Sequence, residues 1–169
     1  GAANVVPPSG AFLQATATGE AALVKTVLEI VGSAKRVTDL FAGCGTFTLP
    51  IASRAAVHAL ESERAMMDAL DHGWRNAGGL HDVRVETRDL YRRPLMPDEF
   101  KKVDAAVIDP PRAGAAAQVA ELVKSDVKRI AFVSCNPATF ARDARVLVDG
   151  GYSLDWVQVV DQFLWNPHV

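Results

Sequence analysis

The chain has 169 residues, a length that predicts one domain with its own hydrophobic core. Hydrophobic residues make up 49% and charged residues 22% of the chain, which excludes a disordered protein, and no apolar run is long enough to cross a membrane. With a formal net charge of −2, the chain lacks the excess of basic residues that is typical of nucleic-acid-binding proteins. Its two cysteines are too few for a disulfide framework and favour a location in the reducing cytosol.

Apolar spacing predicts helices that alternate with strands along most of the chain. The first predicted helix covers residues 18–31 and ends at Gly32. Predicted strands lie at 37–41, 56–60, 83–87, 103–108, 129–134 and 152–160. Between them, predicted helices cover 46–55, the stretch from Ser62 to Gly78, 115–124, and the stretch from Asn136 to Gly150. This order predicts a single α/β domain with a doubly wound, mostly parallel sheet.

In such sheets ligands bind at the carboxyl ends of the strands. After the first strand, Gly43 and Gly45 would allow a tight turn and a close backbone approach to a ligand, although a plain strand-to-helix turn also explains them. Glu61 follows Asp39 by 22 residues, the spacing of an acid that binds ribose hydroxyls, and a solvated helix start is the simpler alternative. Thr48 stands where a dinucleotide fingerprint needs glycine, so S-adenosylmethionine fits better than NAD.

Two further segments follow predicted strands. Asp89 comes after the third strand, where an adenine edge would lie, but it could equally be a surface loop acid. The DPPR segment, which begins at Asp109, follows a nearly apolar strand. Its two prolines fix the backbone and would form a stiff lip that holds a planar base at the reactive end of the cofactor. A simple turn is the alternative.

Cys135, in the segment SCNP, lies between a strand end and a helix N-terminus. Helix amides stabilise a thiolate there and favour a nucleophile, whereas a free cysteine is more often a small buried hydrophobe. Cys44, between two glycines, is given that second interpretation. Arg142 and Asp143 are most simply an exposed helix pair, and they could also steady a substrate.

Together DLFAGCGTFTLPIA, VIDPPRAG, VSCNPATFARD and the closing DQFLWNPH resemble the RNA 5-methyluridine methyltransferases. These enzymes methylate carbon 5 of uracil in transfer or large-subunit ribosomal RNA, and the resemblance covers residues 12–168. It implies a Rossmann-like methyltransferase fold, S-adenosylmethionine as cofactor and Cys135 as the nucleophile. It places the cofactor among Gln14, Phe41, Thr46, Glu61, Asp89 and Asp109, and the loop itself adds Gly43 and Gly45 to this cofactor site. Thr46 departs from the usual Asn, Leu164 from Pro and Asn166 from Thr.

In that family an acid directly after His-x acts as the base, and the sequence stops at Val169, one residue short of it. The family's last strand, which lies antiparallel beside the fifth, and its RNA-binding barrel and central domain are also missing from the sequence. We therefore expect the catalytic domain of a longer cytoplasmic RNA methyltransferase, inactive by itself and without a membrane partner. The alternatives are a non-catalytic domain that binds cofactor or partner, and an amino-nitrogen methyltransferase, which shares the proline-rich lip but needs no cysteine.

Overall fold

The computed structural model describes residues 3–11 and 14–161, which contain alternating helices and strands. The strands are β1 (Arg36–Leu40), β2 (Ala56–Glu61), β3 (Val83–Thr87), β4 (Ala105–Ile108) and β5 (Arg129–Phe132). The helices are α1 (Ala17–Val31), α2 (Thr48–Ala52), α3 (Arg64–Arg75), α4 (Ala116–Leu122) and α5 (Pro137–Asp149), with one 3-10 turn at Pro97–Phe100. None of these helices is both long and apolar enough to span a membrane.

The five strands form one parallel sheet in the order β3-β2-β1-β4-β5. This order confirms the predicted doubly wound α/β fold. Leu40 at the end of β1 pairs with Leu60 on one side and Ile108 on the other. The strand order reverses between β1 and β4, and the crevice at such a switch point is where these folds bind ligands.

Side chains of β4 alternate between two cores, one on each face of the sheet. Ala105 and Val107 pack into the core that α1 and α2 cover, and Ala106 and Ile108 pack into the core that α4 and α5 cover. All four residues are fully buried, as expected for a central parallel strand that helices cover on both faces. The sheet is therefore a rigid base for the loops at its carboxyl edge.

Two predicted helix ends are confirmed by their local chemistry. Asn136 caps α5, since its Oδ1 accepts a hydrogen bond from the Ala138 amide at 3.1 Å, and Pro137 takes the first helical position. Gly32 ends α1 with a φ of 57°, a left-handed conformation that favours glycine. The predicted cap at Ser62 is wrong, because α3 begins after Glu63 and the Ser62 hydroxyl donates to the Glu61 carboxylate.

The predicted strand at 152–160 is also wrong, because residues 152–161 form no strand. Apolar alternation around Val157 and Val159 fits a strand, but pairing requires a neighbouring strand, and both of these side chains are exposed. One hydrogen bond joins the segment to α1, from the Thr26 hydroxyl to Gln158 Oε1 at 3.0 Å. The expectation that the family's final strand is missing concerns sequence after Val169 and stays a prediction, and the closing DQFLWNPH motif lies outside the described residues from position 162 onward.

Candidate active site

One cavity of about 1260 Å³ opens at the carboxyl edge of the sheet and continues along the outer edge of β5. Seven of the nine predicted site residues line it: Gln14, Phe41, Gly43, Thr46, Glu61, Asp109 and Cys135. Gly45 and Asp89 lie outside it. The fold thus brings residues from five separate segments of the chain to one place, and the cavity is large enough for a nucleoside ligand.

The loop over residues 41–47, here called the glycine loop, gets its shape from left-handed backbone conformations. Phe41, Gly43 and Gly45 have φ values of 62°, 54° and 94°. A Cβ on Gly43 would meet nothing within 4 Å, whereas a Cβ on Gly45 would collide with the Leu70 side chain of α3. Gly43 therefore faces open space that a ligand can approach, and Gly45 allows the loop to pack on the helix behind it.

Glu61 ties the end of β2 to the glycine loop. Its Oε2 accepts a hydrogen bond from the Gly43 amide at 3.2 Å, and its Oε1 accepts from the Ser62 amide at 2.6 Å, the Ser62 hydroxyl at 2.8 Å and the Glu63 amide at 3.2 Å. Among the described residues Oε2 has that one donor, so it keeps acceptor capacity for a ligand hydroxyl. The carboxylate is held in place by backbone amides before any ligand arrives.

Asp39 lies fully buried beneath the glycine loop. The Thr48 hydroxyl donates to its Oδ2 at 2.5 Å, and its Oδ1 has no hydrogen-bond partner among the described residues. Burial raises the pKa of Asp39 to about 7, with the charges of Asp109 and Glu61 adding to the effect and the Thr48 bond opposing it. This hydrogen bond explains why threonine occupies position 48. In the sequence, the signal for the bond was the pair of polar residues that flank the glycine loop, Asp39 before it and Thr48 after it.

The DPPR segment at residues 109–112, here called the proline lip, continues directly from β4. The Asp109 amide donates to the Leu40 carbonyl at 3.2 Å, so the lip begins beside the end of β1. The Asp109 side chain keeps some exposure to the cavity, yet burial among protein atoms raises its pKa to about 7. Cavity-facing acids therefore lie on both sides of the crevice, Glu61 after β2 and Asp109 after β4.

Cys135 is half-buried and lines the cavity together with the proline lip, between the end of β5 and the start of α5. Its neighbour Asn136 donates through Nδ2 to the Arg112 carbonyl at 3.0 Å, which joins the cysteine segment to the lip. Cys44 is buried, and burial with the nearby Glu61 charge raises the pKa of its thiol. Both cysteines line the cavity, and Cys44 is the more buried of the two, as the sequence predicts. The role of Cys135 as the nucleophile stays a prediction.

Asp89 closes a turn outside the cavity. Its Oδ1 accepts hydrogen bonds from the amides of Tyr91 at 2.9 Å and Arg92 at 3.3 Å. Sequence reasoning missed Tyr91, whose ring centroid lies 5.5 Å from that of Phe41 and whose hydroxyl donates to the Gly114 carbonyl at 3.0 Å. An aromatic residue two positions after Asp89 was the available signal.

The expected exposed pair of Arg142 and Asp143 is wrong for Asp143, which is fully buried. Arg142 Nε donates to Asp143 Oδ1 at 2.8 Å, and Asp143 Oδ2 accepts from the Ala115 amide at 2.7 Å. The acid is buried because the loop after the proline lip folds over it, a contact between residues far apart in the sequence.

Comparison with known proteins identifies the family. The profile of the tRNA (Uracil-5-)-methyltransferase family matches residues 6–169. The chain belongs to this family. Over 166 residues it is 56% identical to an uncharacterized RNA methyltransferase of Rhizobium meliloti (strain 1021), a match that covers 98% of the chain and 40% of that relative.

Two further relatives in the uracil-5 methyltransferase group carry more specific names. The 23S rRNA (uracil(1939)-C(5))-methyltransferase RlmD of Chromohalobacter salexigens is 41% identical over 163 residues, which are 95% of the chain and 34% of that protein. The crystal structure of Pyrococcus abyssi tRNA (uracil-54, C5)-methyltransferase in complex with S-adenosyl-L-homocysteine is 28% identical, with a TM-score of 0.78 over 94% of the chain and 38% of that protein. The chain thus spans between about a third and two fifths of the length of these relatives.

Proposed function

We propose that this chain is the catalytic domain of an RNA methyltransferase that transfers a methyl group from S-adenosylmethionine to carbon 5 of a uridine. The observation that carries the proposal is the shared cavity, in which Cys135 lies with Glu61, Gly43 and Asp109. The cavity therefore brings the proposed nucleophile next to the residues proposed to bind the nucleoside of the cofactor. We further propose that the longer protein acts in the cytoplasm, where cysteine thiols stay reduced.

The residues of the cavity fit S-adenosylmethionine. Glu61 Oε2 would accept hydrogen bonds from the ribose hydroxyls, and the open space at Gly43 would admit the ligand against bare backbone. The remaining cofactor contacts that we propose are Gln14, Phe41, Thr46 and Asp109 in the cavity, Gly45 as support behind it, and Asp89 toward the adenine. The bound S-adenosyl-L-homocysteine in the Pyrococcus abyssi relative supports this choice of ligand.

Methylation at carbon 5 needs a nucleophile because this carbon of uracil reacts poorly with a methyl donor. The Cys135 thiolate would form a bond to carbon 6, and the ring electrons would move to the oxygen on carbon 4 to give an enolate. Bound S-adenosylmethionine supplies an electrophilic methyl group, and carbon 5 takes it as the carbon–sulfur bond of the donor breaks. A base then removes the carbon 5 proton, the bond to Cys135 breaks, and the thiolate is restored.

The target uridine must leave its base stack to reach this cavity. The proline lip would hold the flipped base opposite Cys135, because Pro110, Pro111 and Cys135 line the same space. The restricted backbones of the two prolines suit this task, because a rigid lip loses little conformational entropy when the base binds.

The test uses the protein encoded by the complete gene that contains this chain. The protein is incubated with S-adenosylmethionine and unmodified transcripts of 23S rRNA or tRNA, and the nucleosides are analysed by mass spectrometry. We expect 5-methyluridine in one of the two transcripts. The transcript that is methylated shows whether this protein has the rRNA specificity of one relative or the tRNA specificity of the other.

Cys135→Ala should lower the yield by on the order of a thousandfold or more, because no other group activates the ring. Cys44→Ala is the matched control. Cys44 also lines the cavity, but its side chain is buried and has no proposed role in the reaction, so this variant should stay within about threefold of the wild-type rate. A normal rate in Cys135→Ala would remove the nucleophile assignment. A methyl group on a nitrogen or on ribose would contradict the reaction itself.

A further inference from the structure

The loop that follows the proline lip, residues 112–115, is held by side chains of α5. The Arg112 carbonyl accepts hydrogen bonds from Asn136 Nδ2 at 3.0 Å and from the Thr139 hydroxyl at 3.2 Å. One turn further along α5, Arg142 Nη2 donates to the Ala113 carbonyl at 3.0 Å. These donors lie on the helix that begins directly after Cys135.

Asp143 completes the set from the fully buried side. Its Oδ2 accepts from the Ala115 amide at 2.7 Å, and its Oδ1 accepts from Arg142 Nε at 2.8 Å. The carboxylate therefore bonds to the loop directly and also orients the guanidinium that bonds to the loop one residue earlier. A buried carboxylate with both oxygens bonded is a fixed point, because moving it would leave a charge unpaired.

Gly114 shows how closely the loop approaches α5. Its φ is +78°, and a Cβ there would lie 2.5 Å from Arg142 Nη2 and 2.6 Å from Asp143 Oδ2. The Tyr91 hydroxyl also donates to the Gly114 carbonyl, at 3.0 Å. Each residue of the 112–115 loop thus has a backbone polar group bonded to a side chain from elsewhere in the fold.

We propose that Asp143, acting through Arg142, is a positioning residue that fixes the proline lip relative to Cys135. The inference rests on the proposed function. The lip and the cysteine are on separate loops, after β4 and after β5. The sheet pairs these strands as far as Ile108 and Phe132, and the Val133 amide donates to the Ile108 carbonyl at 2.8 Å, but the pairing ends there and leaves the distance between the lip and Cys135 to other contacts. The hydrogen bonds from α5 to the 112–115 loop set it, with Asp143 as their buried anchor. The flipped base would then meet the nucleophile and the methyl donor in a fixed geometry.

The test measures kcat and KM for methyl transfer with the protein from the complete gene and the RNA transcript that it methylates. Asp143→Asn keeps the shape of the side chain but removes its charge, so that Arg142 loses its anchor. We expect kcat to fall by on the order of tenfold to a hundredfold, because small misplacements of reacting groups lower rates by about this much. KM for S-adenosylmethionine should stay within about threefold, because the cofactor residues that follow β1 and β2 are untouched. Asp109, the proposed cofactor contact in the lip, is held at the end of β4 by the bond from its amide to the Leu40 carbonyl.

The same helix offers a matched control. Arg145 and Asp149 also form an ion pair, with Arg145 Nε 2.8 Å from Asp149 Oδ1, but both side chains are exposed and bond to no part of the loop. Asp149→Asn should leave kcat and KM unchanged. Thr139→Val changes the side-chain shape little and removes the hydroxyl that lies 3.2 Å from the Arg112 carbonyl and 3.2 Å from the Asn136 carbonyl at the start of its own helix. It should lower kcat by about threefold to tenfold.

The outcomes separate the two proposals. A wild-type protein that methylates no RNA overturns the proposed function and this inference with it. An active wild type with full kcat in Asp143→Asn overturns the positioning role alone. If Asp143→Asn does not fold, Thr139→Val decides: a reduced kcat with unchanged KM supports the inference, and an unchanged kcat overturns it.

Discussion

The glycine loop and the proline lip follow neighbouring strands, β1 and β4, and face the same cavity, yet their shapes have different origins. Left-handed backbone conformations at Phe41, Gly43 and Gly45 form the glycine loop. The lip is stiffened by two prolines, and side chains from α5 bond to the loop that continues from it. The glycine loop is shaped mainly by its own backbone, whereas the loop after the lip is shaped by α5, a helix that is distant in sequence but in direct contact.

This difference indicates which changes each loop tolerates. The glycine loop should be sensitive to an added Cβ, since its conformation and its packing both need glycine. The lip should be sensitive to the loss of polar groups on α5, far away in the sequence. The following predictions test this distinction, from the largest expected effect to the smallest.

The largest effect should come from a methyl group at Gly45. Gly45→Ala forces a residue with a Cβ into a φ of +94° and against the Leu70 side chain, so the free energy of unfolding should fall by about 3–5 kcal/mol. Gly43→Ala meets no atom within 4 Å and should cost about 1–2 kcal/mol. Urea unfolding of both variants checks the ratio, and equal losses would show that packing behind the loop is not the cause.

Each of the two loops has an acid whose pKa burial raises to about 7, Asp39 beneath the first and Asp109 in the second. Between about pH 4 and pH 7 the folded chain holds protons that the unfolded chain releases, so stability falls as the pH rises through this window. Asp39→Asn should remove part of this decline, on the order of 2–4 kcal/mol, and Asp109→Asn a further part. Urea unfolding at several pH values compares each variant with the wild type, and a pH dependence that Asp39→Asn and Asp109→Asn leave unchanged would contradict the assignment.

Glu61 should matter for cofactor affinity more than for folding. Glu61→Ala removes the proposed acceptor for the ribose hydroxyls, and binding of S-adenosylhomocysteine should weaken by on the order of tenfold to a hundredfold. Glu86→Ala, which removes an acid from the neighbouring strand β3 outside the cavity, is the control and should bind normally. Calorimetry measures both, and wild-type binding of NAD without S-adenosylhomocysteine would contradict the cofactor assignment.

The smallest expected effect is a difference in alkylation rate between the two cysteines. Cys44 belongs to the glycine loop and is buried, with its thiol pKa raised, whereas Cys135 beside the lip is half-buried at the cavity. Iodoacetamide should alkylate Cys135 about tenfold faster or more in the folded chain. Peptide mapping over time measures both rates, and faster alkylation of Cys44 would reverse the comparison.

The fold could largely be predicted from the sequence because its strands are apolar and its helix ends carry strong local signals, such as Asn136 with Pro137. The prediction of a strand at 152–160 was wrong because a strand needs a neighbouring strand to pair with. The alternation of apolar residues does not show whether such a neighbour exists. Asp143 was misplaced for a related reason, since a charged side chain on a helix is usually exposed and only the distant Ala115 amide explains its burial. Asp89 was expected toward the adenine but closes a turn outside the cavity, and its contact with the cofactor stays a prediction.

The most direct measurement of the central claim is a covalent trap at the nucleophile. In RNA made with 5-fluorouridine, carbon 5 holds fluorine in place of the proton that the base removes, so after methyl transfer the bond to the cysteine cannot break and the adduct persists. The protein from the complete gene, incubated with this RNA and S-adenosylmethionine, should give an adduct that survives denaturing electrophoresis. Peptide mass spectrometry should locate the methylated 5-fluorouridine on Cys135. An adduct on another residue, or its absence while methyl transfer to unmodified RNA proceeds, would contradict the account.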